Sequence, residues 1–342
     1  PFAIGAFHAT SKGILVTQAA GNLGPSAETV TSVAPWILTV AASTVDRLFI
    51  TKLVLGNGTV ITGIAVNSFP SALNYFPLVF GKQVSSSCGE ASARDPQGRI
   101  LKGETTRDAA APAVPRFSSR GPNAITPDIM KPDVSAPGAN ILAAFPPNLP
   151  PTPFAGDDRR VKFLVKSGTS MSCPHVAGAA AYVKTFHPDW SPSAVKSALM
   201  TTASKLRDTT TRVDLSGREF SYGSGQINPL KAVDPGLVYE TTKADYVNLL
   251  CSLGYDIRSI DSNGPPNSTY KAKVDVSPNI NITVVPEVIS FESVSEKKSF
   301  TIGISASGLQ SGALLSNEVV WSDGVHHARS PVIVYTEQDS PE

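Results

Sequence analysis

Apolar residues at Ala3, Ile4, Phe7 and Ala9 recur at nearly helical spacing, and Gly13 follows as a stop, so the chain is predicted to open on a short helix. Two short apolar runs come next, Ile14–Thr17 and Ile37–Ala42, and the turn-forming stretch Ala19-Ala20-Gly21-Asn22-Leu23-Gly24-Pro25 lies between them. Helix, buried strand, turn and buried strand predict a parallel α/β sheet. In such sheets ligands gather beyond the carboxyl ends of the strands, and Asn22 falls at one of those ends. From 63 to 113 the pattern weakens to alternation and scattered prolines, read as an insertion of strands and loops. Core-like sequence then returns and leads into Gly168-Thr169-Ser170-Met171-Ser172-Cys173-Pro174-His175. Behind it, Val176–Val183 is small and apolar on every side, which predicts a helix buried all round, with Pro174 in its first turn, where a missing N–H costs little.

Ser191 with Pro192 marks another helix start. Thr242-Lys243-Ala244-Asp245 resembles a capping box, with Gly254 as the stop. Beyond about residue 268 the period changes to two, through Val274, Val276, Ile280, Ile282, Val284, Phe300, Ile302, Ile304, Val319–Trp321 and Val332–Val334. These read as short strands of a small all-β domain. The expected organisation is an α/β domain in two parts, 1–62 and 114–260, interrupted by 63–113 and followed by a β domain at 268–342.

Composition narrows the function classes. The 342 residues are 41% hydrophobic with a formal net charge of +1, and no long run of like charge occurs, so the electrostatic footprint of a nucleic-acid binder is missing. The apolar run at Val176–Val183 is far shorter than the roughly 18 residues of a membrane span. Three cysteines, Cys88, Cys173 and Cys251, are too few and too scattered for a disulfide framework or a zinc site. Sequons at Asn57, Asn267 and Asn281 lean toward the secretory pathway. The chain begins at Pro1 with no methionine and no basic n-region, and reads as starting in mid-domain.

Ser170 is the first chemical candidate. Before a small-residue helix it would sit where orphan N–H groups and the positive dipole end favour a developing anion; the bland alternative is that it merely caps the helix. Position 172 is Ser172, so the Gly-x-Ser-x-Gly elbow of the α/β-hydrolases does not fit. Asn22, on a turn beyond a strand, is the second candidate, as a donor to the same oxyanion; otherwise it is an Asn tolerating a tight turn. A nucleophilic serine needs a base and an orienting carboxylate. His8, His175, His187, His326 and His327 all lack a local context for that role; His175, five residues past Ser170, is turned about 140° around the helix axis. Asp133 reads as a loop-holding carboxylate.

These segments resemble the subtilisin-like serine proteases, in particular the plant, cucumisin-like branch. The resemblance rests on Ala20-Gly21-Asn22-Leu23-Gly24-Pro25, Phe117-Ser118-Ser119-Arg120-Gly121-Pro122, Lys131-Pro132-Asp133 with Ala136-Pro137-Gly138, and Gly168-Thr169-Ser170-Met171-Ser172. It extends to Tyr222-Gly223-Ser224-Gly225, Asp234-Pro235-Gly236-Leu237-Val238-Tyr239 and Trp321-Ser322-Asp323-Gly324-Val325-His326. It implies a partial parallel-sheet subtilisin-like catalytic domain, with a shortened protease-associated insertion at 63–113, followed by a fibronectin-III-like β-sandwich. By the same resemblance Ser170 is the nucleophile and Asn22 the oxyanion-hole side chain; the substrate is a peptide or protein, no cofactor or metal is needed, and the protein is secreted, with Asn57, Asn267 and Asn281 as glycosylation candidates.

No Asp-Thr-Gly or Gly-His-Gly-Thr-His segment occurs in the chain. The family places both before the oxyanion-hole segment, so the triad Asp and His are expected from a missing N-terminal segment of the same enzyme. The leading expectation is therefore the C-terminal part of a serine endopeptidase, inactive alone. The alternative is a non-catalytic relative that binds peptide or protein. A free-standing β-sandwich adhesion module fits the α/β pattern of the first two-thirds poorly.

Overall fold

The computed structural model describes residues 1–64, 76–77, 97–153, 156–206, 217–252, 259–262, 268–293 and 296–336. Cys88, Gly254 and the sequon residue Asn267 lie outside them. The chain divides into two compact units, one of Pro1–Thr44, Pro112–Ile141 and Lys166–Glu342, the other of Val45–Ala111 and Leu142–Val165.

The first unit is built on a parallel three-stranded sheet of β1 (Val16–Ala19), β2 (Ile37–Ser43) and β8 (Val134–Pro137), in that order. The chain enters through α1 (Phe2–Thr10), and Gly13 takes a positive φ in the turn that follows. β1 starts two residues later than its apolar run and is only half-buried, because it is paired on one side among the described residues. All seven residues of the central strand β2 are buried. α2 (Thr169–Phe186) and α3 (Pro192–Thr201) close the core over Leu38, Val40, Val134 and Ala136.

Two expectations about α2 change. Val176, Ala179, Ala180 and Val183 are buried, but Ala177, Gly178, Ala181 and Tyr182 on the other face are exposed, with the Tyr182 and Phe186 rings edge to face at 5.1 Å. Small side chains all round a helix do not tell which face has a partner. Pro174 lies inside the helix rather than in its first turn, so it cannot donate to the carbonyl of Ser170, four residues before it. The cap signals hold elsewhere. The Ser191 hydroxyl accepts from Ala194 N at 3.1 Å. Before α6 (Lys243–Ser252), Asp245 accepts from Thr242 N at 2.7 Å while Thr242 Oγ1 accepts from Asp245 N at 3.3 Å.

The second unit holds an antiparallel sheet of β3 (Arg47–Leu55), β4 (Val60–Ile64), β5 (Phe76–Pro77), β6 (Gln97–Ile100) and β7 (Glu104–Arg107), together with the pair β9 (Ile141–Ala144) and β10 (Phe163–Lys166). Asn57 is exposed in the turn between β3 and β4, and its Oδ1 accepts from Thr59 N at 2.9 Å.

In the first unit, beyond the short helices α4 (Glu219–Tyr222) and α5 (Pro229–Ala232), β11 (Leu237–Glu240) leads by way of β12 (Ser259–Ser262) to two antiparallel sheets. One contains β13 (Ser268–Asp275), β15 (Val288–Phe291), β18 (Leu314–Ser322) and β19 (His327–Tyr335). The other pairs β14 (Ile280–Val285) with β17 (Thr301–Ala306), while β16 (Lys297–Ser299) joins β12. Alternation works as read in β14, where Ile280, Ile282 and Val284 point into a core shared with Tyr270, Phe291 and Trp321, while Asn281 and Thr283 face out; Val276, just past β13, and Ile304 of β17 are exposed instead. Leu237 of β11 is buried in that same core.

Candidate active site

Ser170 is the second residue of α2 and is exposed. It does not cap the helix: the N-cap is Gly168, which has no side chain to offer. The capping acceptor comes from far away in sequence. Asn22 Oδ1 accepts from Thr169 N at 2.9 Å and from Thr169 Oγ1 at 3.1 Å. Two donors on one oxygen fix which end of the carboxamide is which, so Nδ2, with its two N–H groups, is left to serve as a donor. A Cβ on Gly168 would lie 3.5 Å from that nitrogen, which places the amide beside the start of α2. At the helix start Gly168 N donates to Gly138 O, Thr169 N to Asn22 Oδ1 and Met171 N to Gly168 O, which leaves the Ser170 N–H as the backbone donor, and the helix dipole adds positive potential there. The arrangement thus offers side-chain and backbone N–H donors around an exposed hydroxyl.

The loop bearing Asn22 is fastened from several directions. Thr169 Oγ1 also accepts from Gly21 N at 3.2 Å, Ser119 Oγ accepts from Leu23 N at 3.0 Å, and Ser119 N donates to Gly21 O at 3.0 Å. Gly21 has φ +108, and a Cβ there would meet Ser119 Oγ at 2.7 Å; a larger residue would be both strained and crowded. Ser118 Oγ accepts from Ala42 N at 3.0 Å and ties the same segment to β2. Thr169 and Ser119 were not singled out from sequence, because their roles appear only when partners about a hundred residues away are known. The signal was present in the motifs Gly168-Thr169-Ser170 and Phe117-Ser118-Ser119.

The histidines lie elsewhere in role. His8 is exposed on α1. His175 Nδ1 is 2.8 Å from Met171 O on its own helix. His187 stacks on Trp190 at 3.7 Å, with Nε2 2.6 Å from Val233 O. His327 is exposed, and His326 is held by two carboxylates. Asp133 serves the core. Its carboxylate lies 2.6 Å from Lys131 Nζ and 2.9 Å from Lys196 Nζ, and it accepts from Thr39 N at 2.6 Å. Burial works to raise its pKa, but the two ammonium groups and the backbone donor outweigh that and hold it below the usual carboxylate range. Burial draws Lys131 down to about 7 in spite of the carboxylate.

A separate cleft of about 370 Å³ is lined by residues that include Phe7, Lys184, Ser191, Glu240 and Tyr246, and neither Asn22 nor Ser170 contributes to it. Glu240 is occupied there as acceptor for the Ser191 and Ser193 hydroxyls. Burial, with Asp133 second, pushes the Tyr246 phenol up to about 12. Among the described residues no group of His, Cys, Asp and Glu is arranged to hold a metal ion. Cys173 is a half-buried free thiol, 3.4 Å from Thr17 Oγ1.

Residues 2–225 match the subtilase family (peptidase S8) and residues 257–334 match a fibronectin type-III domain. The subtilisin-like protease SBT4.9 of Arabidopsis thaliana is 41% identical, over 98% of this chain and 60% of its own length. SBT4.3 of the same plant is 39% identical, over 98% of this chain and 62% of its own. The chain therefore spans about 60% of the length of these curated relatives. The first alignment runs to 429 positions against 342 residues, so the relative carries inserted residues that this chain lacks. With a matched region covering well over half of its length, the chain belongs to the subtilase family, and a fibronectin type-III domain follows its subtilase region.

Proposed function

We propose that this chain is the nucleophile-bearing part of a serine endopeptidase. The observation that carries the reading is the Asn22 carboxamide, oriented by Thr169 with its donor end free beside the helix start that bears Ser170. In this reading the Ser170 hydroxyl attacks the scissile carbonyl carbon and its proton passes to a histidine. The oxygen turned anionic is held by Asn22 Nδ2 and the Ser170 N–H. Collapse breaks the C–N bond as the histidine returns the proton to the leaving amine, and water then hydrolyses the acyl-enzyme. That histidine and its aspartate come from a preceding part of the protein, which would also cover the exposed face of α2 at Ala177, Ala181 and Tyr182. The chain alone is inactive toward peptides. Secretion agrees with the open positions of Asn57 and Asn281, which leave room for glycans.

The test is a fluorophosphonate probe, which needs an activated serine. In the protein with its preceding part, the probe is expected on Ser170; on the 342-residue chain alone, no labelling is expected. Absence of labelling in both would leave the peptide-binding, non-catalytic reading in its place.

A further inference from the structure

We propose that His326 is a proton-operated clasp between the fibronectin domain and the segment leaving the subtilase region: protonated, it binds Asp323 and Asp234 together; neutral, it lets one of them go. The inference rests on the imidazole's two partners and is independent of what Ser170 does. His326 Nδ1 lies 2.8 Å from Asp323 Oδ2 within its own loop, and Nε2 lies 3.0 Å from Asp234 Oδ2, ninety-two residues earlier and just past α5. Ionised carboxylates only accept, and neutral imidazole carries one N–H. Both contacts are therefore hydrogen bonds only when the ring is an imidazolium.

The surroundings hold that geometry. Asp323 Oδ1 accepts from Val325 N at 2.9 Å and His326 N at 2.6 Å. Burial would raise the Asp323 carboxyl, but these bonds and the His326 ring bring it down to about 2, so it stays ionised. Gly236 passes directly beneath: at φ +75, a Cβ there would lie 2.6 Å from His326 Cβ and 2.8 Å from Tyr270 Oη. Glycine at this position is what lets the two segments meet, and the next residue, Leu237, enters the sandwich core. A second tie runs from Arg329 to the Ser224 carbonyl, with Glu318 between Arg329 and Lys205.

The titratable groups facing His326 are Asp323 from its own loop, Asp234 from the segment after α5 and Tyr270 from β13. Burial first, then Asp323, lifts the Tyr270 phenol above its ordinary range, so it remains neutral throughout. Burial also works to lower His326, but the two carboxylates outweigh it and its pKa stands above the ordinary 6.5. A folded value above the unfolded one gives stabilisation that is complete below about pH 6.5 and is lost as pH rises through the folded pKa.

The exposed partner Asp234, 70% accessible, allows a test that leaves both cores intact. In Asp234→Asn, the NMR titration of the His326 ring is expected at a lower pH than in wild type. The Tm gap between wild type and D234N is expected to be about 1–3 °C at pH 5.5 and to close by about pH 9. His326→Gln should fold and show no such closing gap when Asp234 is then changed. An unshifted His326 titration, or a gap of equal size at both pH values, would overturn the clasp.

Discussion

On the proposed reading, replacing Asn22 by Ala in the protein with its preceding part is expected to lower kcat about 10²–10³-fold with little change in KM. That magnitude is the one subtilisin shows on loss of its oxyanion-hole asparagine. The physical ground is local. The carboxamide oxygen is already engaged by Thr169 N and Oγ1, so the nitrogen is turned to donate without reorganisation when charge develops. Thr169 is fully buried and, on the proposed reading, acts through Asn22 as a positioning residue. Thr169→Val removes one of the two bonds on Oδ1 and should lower kcat less than Asn22→Ala, while Thr169→Ser keeps the hydroxyl and restores it. In a double-mutant cycle the two losses should not add, because the Thr169 hydroxyl has nothing left to orient once the amide is gone. Steady-state kinetics with one peptide substrate reads all four arms, and full additivity would separate Thr169 from the site.

The second large effect concerns stability. Asp133→Ala takes the carboxylate away from Lys131, which is fully buried, and from Lys196, which is partly buried. Breaking a buried ion pair from one side costs about 3–5 kcal/mol, a fall of roughly 10 °C in Tm. Exchanging all three charged residues for apolar ones of similar volume should cost far less, since no uncompensated charge remains. The pH dependence has a definite sign. The folded pKa of Asp133 lies below its ordinary 3.8, so its contribution is present above that value and is lost as pH falls toward the folded one. Thermal melts at pH 7 and pH 3 should therefore show a smaller wild-type advantage at the lower pH. An Asp133→Ala protein as stable as wild type at pH 7 would contradict the account of this cluster.

Much of the fold was legible because its signals are local. Period-two alternation in β14, the cap at Ser191 and the reciprocal bonds of Thr242 and Asp245 depend on neighbours a few residues apart. Ser170 and Asn22 stood out as residue types at a helix start and a strand end. What the sequence withheld was non-local. That Asn22, rather than Ser170 or Gly168, supplies the cap acceptor needs a contact 147 residues apart in the chain. Asp133 was visible as a carboxylate, but Lys196 reaches it from α3, far along the chain. The small residues of α2 announced close packing without saying on which side. Of the two aspartates of the His326 clasp, Asp323 shares a family motif with the histidine while Asp234 sits in another, and nothing in either spacing joined Asp234 to the ring.

The most direct measurement is a crystal structure of the protein, with the preceding part that the proposed reading requires, bound to a peptide boronic acid. The boron is expected on Ser170 Oγ, with one of its oxygens about 2.7–3.1 Å from both Asn22 Nδ2 and Ser170 N. Boron bonded elsewhere, or an oxygen turned away from Asn22, would contradict the site described here.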